Sequence, residues 1–162
     1  MSKAKIEQFS DEIEIPYLLH FTRISNLEGI LENGLISRDS VDKLGDEVTI
    51  NDEERYDGRT NTISLSIAHP NDLMFYKYRD DDEDWCVIAL YPNVLWELDC
   101  LFCKRNAADG TMIATSDDTL STIDAFREMY GELHGLDTRE EQCLKAFDPT
   151  DKQAEILAFD HV

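Results

Sequence analysis

The last stretch of the sequence, residues 151–160, places the tightest constraint on the fold. Its apolar residues follow a pattern that favours β-structure, so the stretch predicts a strand. Glu155 stands in the middle of it, where a carboxylate is costly to bury unless something pairs or uses it. We therefore expect Glu155 to be either a catalytic residue or, more plainly, a strand residue that faces solvent.

A second strand is predicted near the start of the chain, at residues 16–22. Side chains alternate along a strand, so His20 and Thr22 are expected on one face. A helix over residues 26–33 should follow, because Ser25 and Glu28 have the spacing of a capping box and Gly34 fits a left-handed C-terminal position. The helix would place Asn26 in its first turn, near the His20 strand. A hydrogen-bonded core histidine and a plain helix-start asparagine remain the alternatives.

The rest of the chain alternates short strands with helical patterns. Hydroxyl and apolar residues alternate over residues 62–67, and the most hydrophobic run, residues 85–91, predicts the central strand. An amphipathic helix is expected over residues 118–134, with a short strand at 101–104. Residues 37–59 predict a long irregular loop that ends at Arg59. No repeat or linker interrupts the pattern, so we expect a single α+β domain over residues 1–162.

Composition narrows the functional classes. Thirty-five acidic residues against fifteen basic ones give a formal charge of −20, which opposes non-specific binding to nucleic acid. Cys100 and Cys103 have C-x2-C spacing but no second pair, so they predict buried small side chains and no metal site. No apolar run reaches the length of a membrane span and the N-terminus lacks signal-peptide order, so we expect a cytoplasmic protein without membrane association.

Several of these pieces occur together in one order: His20-Phe-Thr22, the helix that begins at Asn26, Arg59 before a strand, residues 71–76, residues 105–108, and Gln153-Ala-Glu155. In that order they resemble the DarT family of bacterial ADP-ribosyltransferases over nearly the whole chain. The resemblance implies an ADP-ribosyltransferase-like mixed β-sheet core with a central NAD cleft and flanking short helices. It also implies a toxin that uses NAD as co-substrate and transfers ADP-ribose to thymine in single-stranded DNA, with a macrodomain antitoxin as partner.

Roles for individual residues follow from the resemblance alone. Glu155 and Arg59 would be catalytic. NAD would be held by His20, Thr22, Asn26, Arg59 and Tyr76, and the substrate by Arg105 and Asn106. These residue types suit the reaction, because a carboxylate stabilises positive charge on ribose and a guanidinium binds a diphosphate.

Three alternatives remain open at the level of sequence. The acidic charge fits a DNA substrate poorly, so the target of an ADP-ribosyltransferase could instead be RNA, a protein side chain or a small molecule. A catalytically inert nucleotide-binding or interaction domain of the same fold is the second alternative. An acidic DNA mimic is the third.

Overall fold

The computed structural model describes residues 2–35, 37, 58–59, 61–71 and 84–159. Two sequence expectations lie outside these ranges or almost entirely so. They are the long loop before Arg59, of which residues 37 and 58–59 alone are described, and the position of Tyr76.

Five strands alternate with short helices along the described chain. The strands are β1 (Leu18–Arg23), β2 (Thr62–Ile67), β3 (Trp85–Leu90), β4 (Cys100–Cys103) and β5 (Glu155–Phe159). They form one sheet in the order β3–β1–β2–β5–β4, and every neighbouring pair is antiparallel. The α+β class expected from the sequence is therefore confirmed.

The described helices are short and lie around this sheet. They are α1 (Ser2–Glu12), α2 (Leu27–Asn33), α3 (Val94–Glu97), α4 (Gly110–Ala114), α5 (Asp117–Leu120) and α6 (Ile123–Glu128). None of the helices in the described ranges has the length and apolar character needed to span a bilayer.

The larger core lies between one face of the sheet and helices α1, α3 and α6. Phe126 of α6 stacks on Phe102 of β4 with ring centroids 4.5 Å apart, and Phe9 of α1 meets Phe126 edge-on at 4.9 Å. The two ring contacts share Phe126 and so connect α1 and α6 to the sheet. A smaller cluster, built around Leu157 and Met112, covers the opposite face.

The two cysteines of the C-x2-C motif are buried in β4, as the sequence predicted. Burial, with a smaller effect of the Asp99 carboxylate, raises the pKa of the Cys100 thiol to about 12. Cys100 therefore stays protonated at neutral pH and behaves as a small core residue.

Strands β1 and β2 share a short junction. They pair at Leu18↔Ile67 and Leu19↔Ser66, whereas β1 pairs with β3 along its whole length, from Leu18 to Arg23. Beyond this β1–β2 junction, the ring of His20 on β1 contacts the Ser64 carbonyl on β2, as described below.

Two sequence expectations about strands and helices are wrong. The most hydrophobic run forms β3, which lies at the edge of the five-stranded sheet and not at its centre, and its Val87 side chain is 42% exposed. The helix expected over residues 118–134 is interrupted, because the Thr122 hydroxyl accepts a hydrogen bond from the Ala125 amide and starts a new helix there. The apolar positions Leu120 and Phe126 are nevertheless buried.

The start of α2 also differs from expectation. A 3-10 turn over Ile24–Asn26 leads into the helix, so Ser25 is not the N-cap and the capping box does not form. Gly34 has the positive φ of 77° that favours glycine, but its ψ of 178° is extended and not left-handed helical. The helix itself ends at Asn33, as predicted.

Candidate active site at the start of the last strand

Glu155 is the first residue of β5, not a mid-strand residue as the sequence predicted. The chain arrives through a turn in which Asp151 accepts hydrogen bonds from the Gln153 amide (2.8 Å, to Oδ1) and the Ala154 amide (3.0 Å, to its carbonyl). Because of this turn, β5 begins only at Glu155. The carboxylate is consequently half-buried at one end of the sheet.

Among the described residues, the Ser64 side chain and the Ala107 backbone both donate to the Glu155 carboxylate. The Ser64 hydroxyl donates to Oε1 at 2.6 Å, and the backbone amide of Ala107 donates to Oε2 at 2.7 Å. Because each oxygen accepts from a different element, the plane of the carboxylate is fixed relative to both β2 and the turn after β4. Such a group is prepared to stabilise positive charge without reorganising first.

Strand register explains why Ser64 reaches Glu155. Ser64 lies opposite Leu157, and Glu155 precedes Leu157 by two residues, so all three side chains share one face of the sheet. The contact is a diagonal cross-strand pair. On β4, the other neighbour of β5, Cys103 lies opposite Glu155 and is fully buried.

Asn106 shapes the turn that supplies the Ala107 amide. Its Oδ1 accepts a hydrogen bond from the Ala108 amide at 2.8 Å, and its Nδ2 lies 3.5 Å from Oε1 of Gln153. The turn after β4 therefore folds back against the turn before β5. Asn106 is thus next in the chain to the residue whose amide donates to Glu155.

His20 joins the same group through Ser64. The Nδ1 atom of His20 lies 2.9 Å from the Ser64 carbonyl oxygen, and a carbonyl can only accept, so Nδ1 carries the proton. Burial lowers the pKa of His20 below its ordinary value and outweighs the opposing effect of this hydrogen bond. The imidazole is therefore neutral at physiological pH, with Nε2 as an acceptor.

Thr22 and Asn26 form a second pair next to β1. The Asn26 amide donates to the Thr22 hydroxyl at 3.1 Å, and Thr22 is 4% exposed. This bond ties the end of β1 to the start of α2. It brings together two of the residues that the sequence assigned to the cofactor.

Arg59 has described partners on the segment that joins α4 to α5. Its Nε donates to Asp117 Oδ1 at 2.9 Å, and its Nη2 donates to the Thr115 carbonyl at 2.9 Å and to the Met112 carbonyl at 3.4 Å. The guanidinium thus satisfies carbonyl groups at the end of α4 and forms an ion pair that is half-exposed on the Asp117 side.

Arg105 also makes contacts within the chain. Its Nη2 donates to the His134 carbonyl at 2.7 Å, and its Nη1 lies 3.8 Å from Asp151 Oδ2. The structure therefore links His20 to Glu155 through Ser64 and places Asn106 in the turn whose Ala107 amide donates to Glu155, whereas the described partners of Arg59 and Arg105 belong to other segments. Tyr76 is outside the described residues.

Ser64 and Ala107 are central to this arrangement and were not assigned a role from the sequence. The alternating hydroxyls of residues 62–67 indicate a polar face, but the contact of Ser64 with Glu155 depends on the register between β2 and β5. The contribution of Ala107 is a backbone amide, which any residue other than proline would supply. A residue type gives no signal for such a role.

Comparison with protein families gives one finding. The family model described as "ssDNA thymidine ADP-ribosyltransferase, DarT" matches residues 19–162. A comparison with curated proteins gave no match. The match covers β2 to β5 completely and β1 from its second residue on, and it contains Glu155, Ser64 and His20, so this chain belongs to the DarT family of ADP-ribosyltransferases.

Proposed function

We propose that this protein transfers ADP-ribose from NAD to thymidine in single-stranded DNA, with Glu155 as the catalytic carboxylate. The observation that carries the proposal is the Glu155 carboxylate itself, half-buried and fixed by the Ser64 hydroxyl and the Ala107 amide. The family description supplies the reaction class and the acceptor.

The charge and position of Glu155 suit this reaction. Breaking the bond between nicotinamide and ribose develops positive charge on the sugar, and a preorganised carboxylate stabilises that charge. The Ser64 and Ala107 donors keep Glu155 in one orientation, in which we expect the carboxylate to accept a hydrogen bond from a ribose hydroxyl of NAD.

His20 supports the assignment of NAD as co-substrate. Its neutral ring presents Nε2 as an acceptor, and the ribose hydroxyls of NAD are donors. Ser64 links the His20 ring to Glu155, which would let one ligand meet both residues. Thr22, which follows His20 by two residues on the same face of β1, and Asn26, which donates to it, are retained as proposed contacts to NAD.

Arg59 is proposed to bind the diphosphate and to assist the acceptor base. A guanidinium keeps its charge and offers paired donors to phosphate oxygens. In the structure it faces Asp117, so a diphosphate at this position would take the place of the Asp117 carboxylate. Arg105, Asn106 and Tyr76 are retained as proposed contacts to substrate and cofactor.

The biological setting follows from the proposed reaction. DNA modification of this kind would be toxic to a cell, so we propose that the protein is the toxin of a toxin–antitoxin or phage-defence system. A macrodomain protein that removes ADP-ribose would be its antitoxin, and both would act in the cytoplasm, where NAD and DNA meet. Co-expression with and without a macrodomain hydrolase would test this pairing through cell survival.

The direct test is incubation with labelled NAD and separate pools of single-stranded DNA, duplex DNA, RNA and protein. Label should enter single-stranded DNA that contains thymidine, and replacing thymidine by the other bases should abolish it. Glu155→Gln is the inactive control, and Glu140→Gln, an exposed glutamate, is the matched active control. Label in RNA or protein would redirect the acceptor, and no label in any pool would favour an inert binding domain.

A further inference from the structure

Residues 130–154, which we call the brace, contain no helix or strand and yet lead directly into Glu155. We propose that Arg139 is a positioning residue for Glu155, because it organises the brace that fixes where β5 begins. This inference rests on the proposed function for its catalytic consequence, but not for its structural one.

The side chain of Arg139 gathers three acceptors of the brace. Its Nη1 donates to the Asp148 carbonyl at 2.6 Å and to the Thr150 hydroxyl at 3.0 Å, and its Nη2 donates to the Lys145 carbonyl at 2.9 Å. The guanidinium also lies over the ring of Tyr130, 5.6 Å from its centroid. A planar fork of donors suits this set, because the acceptors lie on several sides of one cation.

Thr150 carries the effect of Arg139 to the rest of the fold. Thr150 is fully buried, its hydroxyl donates to the Gly131 carbonyl at 2.7 Å, and its amide donates to the Met129 carbonyl at 2.9 Å. These bonds fasten the end of the brace to the chain just after α6. Five residues later the chain reaches Glu155, so a shift of Thr150 would shift the start of β5.

The brace also fixes the turn that holds the other side of the Glu155 carboxylate. Arg105, just after β4, donates to the His134 carbonyl and lies near Asp151, and Asn106 faces Gln153. The brace therefore contacts both the strand that bears Glu155 and the turn whose Ala107 amide donates to it. Loosening the brace should weaken this hydrogen bond before it disturbs the far half of the sheet.

The first measurement is amide hydrogen exchange, followed by NMR, in wild type, Arg139→Ala, Arg139→Lys and Lys152→Gln. Lys152→Gln is the matched control, because Lys152 is exposed and the substitution removes one positive charge from the same segment. The hydrogen-exchange rate of the Ala107 amide should rise about tenfold or more in Arg139→Ala. A decrease of about 1.4 kcal/mol in the free energy of local opening corresponds to a factor of ten in that rate. Amides of β3 should keep their wild-type exchange rates. The Ala107 exchange rate in Arg139→Lys should lie between those of wild type and Arg139→Ala, because an ammonium group cannot reach all three acceptors.

The second measurement is transfer kinetics at a temperature where circular dichroism shows each variant folded. We expect kcat to fall between about 10- and 100-fold in Arg139→Ala with KM for NAD nearly unchanged, since small misplacements of a catalytic group act on the chemical step. Wild-type protection at Ala107 in Arg139→Ala, or a uniform rise that includes β3, would overturn the proposal. The exchange result stands whether or not wild type transfers ADP-ribose, so the two proposals fail separately.

Discussion

Replacing Glu155 by Gln tests the proposed chemistry with little change in structure. Glutamine has nearly the same shape, and its two ends can meet the same neighbours: the amide oxygen can accept from the Ala107 amide, and the amide nitrogen can donate to the Ser64 oxygen. A hydroxyl can reverse its role by rotating, so neither Ser64 nor Ala107 loses its partner at this position. What the variant loses is the negative charge.

The expected effects on rate and on stability are therefore very different. Removing one electrostatic group that acts on the transition state typically lowers the rate about 100- to 1,000-fold, or about 3 to 4 kcal/mol. Exchanging two charged hydrogen bonds for neutral ones should change the free energy of unfolding by about 1 kcal/mol. For a domain of this size that corresponds to a melting-temperature shift of about 2 to 4 °C.

The assay compares three quantities in the same preparations of Glu155→Gln and the control Glu140→Gln. They are the single-turnover rate of transfer to single-stranded DNA at saturating NAD, the dissociation constant of NAD by calorimetry, and the melting temperature. Loss of rate with nearly unchanged affinity and melting temperature supports a role in the chemical step. A folded Glu155→Gln protein that binds NAD and modifies DNA at the wild-type rate would refute the assignment of Glu155.

Three further predictions concern Ser64, His20 and the ion pair between Arg59 and Asp117. Ser64→Ala removes the 2.6 Å bond to Glu155 and should lower the transfer rate about tenfold or more, with NAD affinity little changed, as single-turnover kinetics would show. The pKa of His20 is lower in the folded protein than in the unfolded chain, so as the pH falls the unfolded chain takes up a proton first. The stability of the folded protein is therefore unaffected by the protonation of His20 above about pH 6.5 and decreases as the pH falls below it. Urea unfolding at pH 7.5 and 5.5 should accordingly show a larger loss in wild type than in His20→Gln. Asp117→Asn removes the anion that competes for Arg59, so calorimetry should show tighter NAD binding if Arg59 meets the diphosphate, and unchanged binding would count against that role.

The elements of the sheet were largely predictable because each follows a local pattern. Alternation in residues 62–67 predicted β2 with its bounds, and the His20 strand was found within two residues of its true start and one of its true end. The position of β3 was not predictable in the same way. Hydrophobicity reports how much a strand is covered, whereas its place in the sheet depends on which partners pair with it. Helix α1 was not predicted at all.

The candidate site was predictable to the extent that residue type signals chemistry. Glu155 was recognisable because a carboxylate stands out in apolar sequence, and His20 because of its place in a strand. The link between Glu155 and His20 was not recognisable, because Ser64 contacts His20 through its backbone carbonyl and Glu155 through its hydroxyl. Arg59 shows the opposite case: the resemblance to the DarT family assigned it to a diphosphate, and its described partners are carbonyl groups and Asp117.

The short β1–β2 junction has a consequence for how the protein loses activity. Two residue pairs join β1 to β2, whereas four join β2 to β5 and six join β1 to β3, so the sheet consists of two well-paired panels with a narrow connection. Cooperative units separate first where the fewest bonds hold them. His20 belongs to one panel and Glu155 to the other. Mild denaturant or acid should therefore part these two residues while each panel remains folded, and activity should disappear before the far-ultraviolet signal of the strands and helices changes.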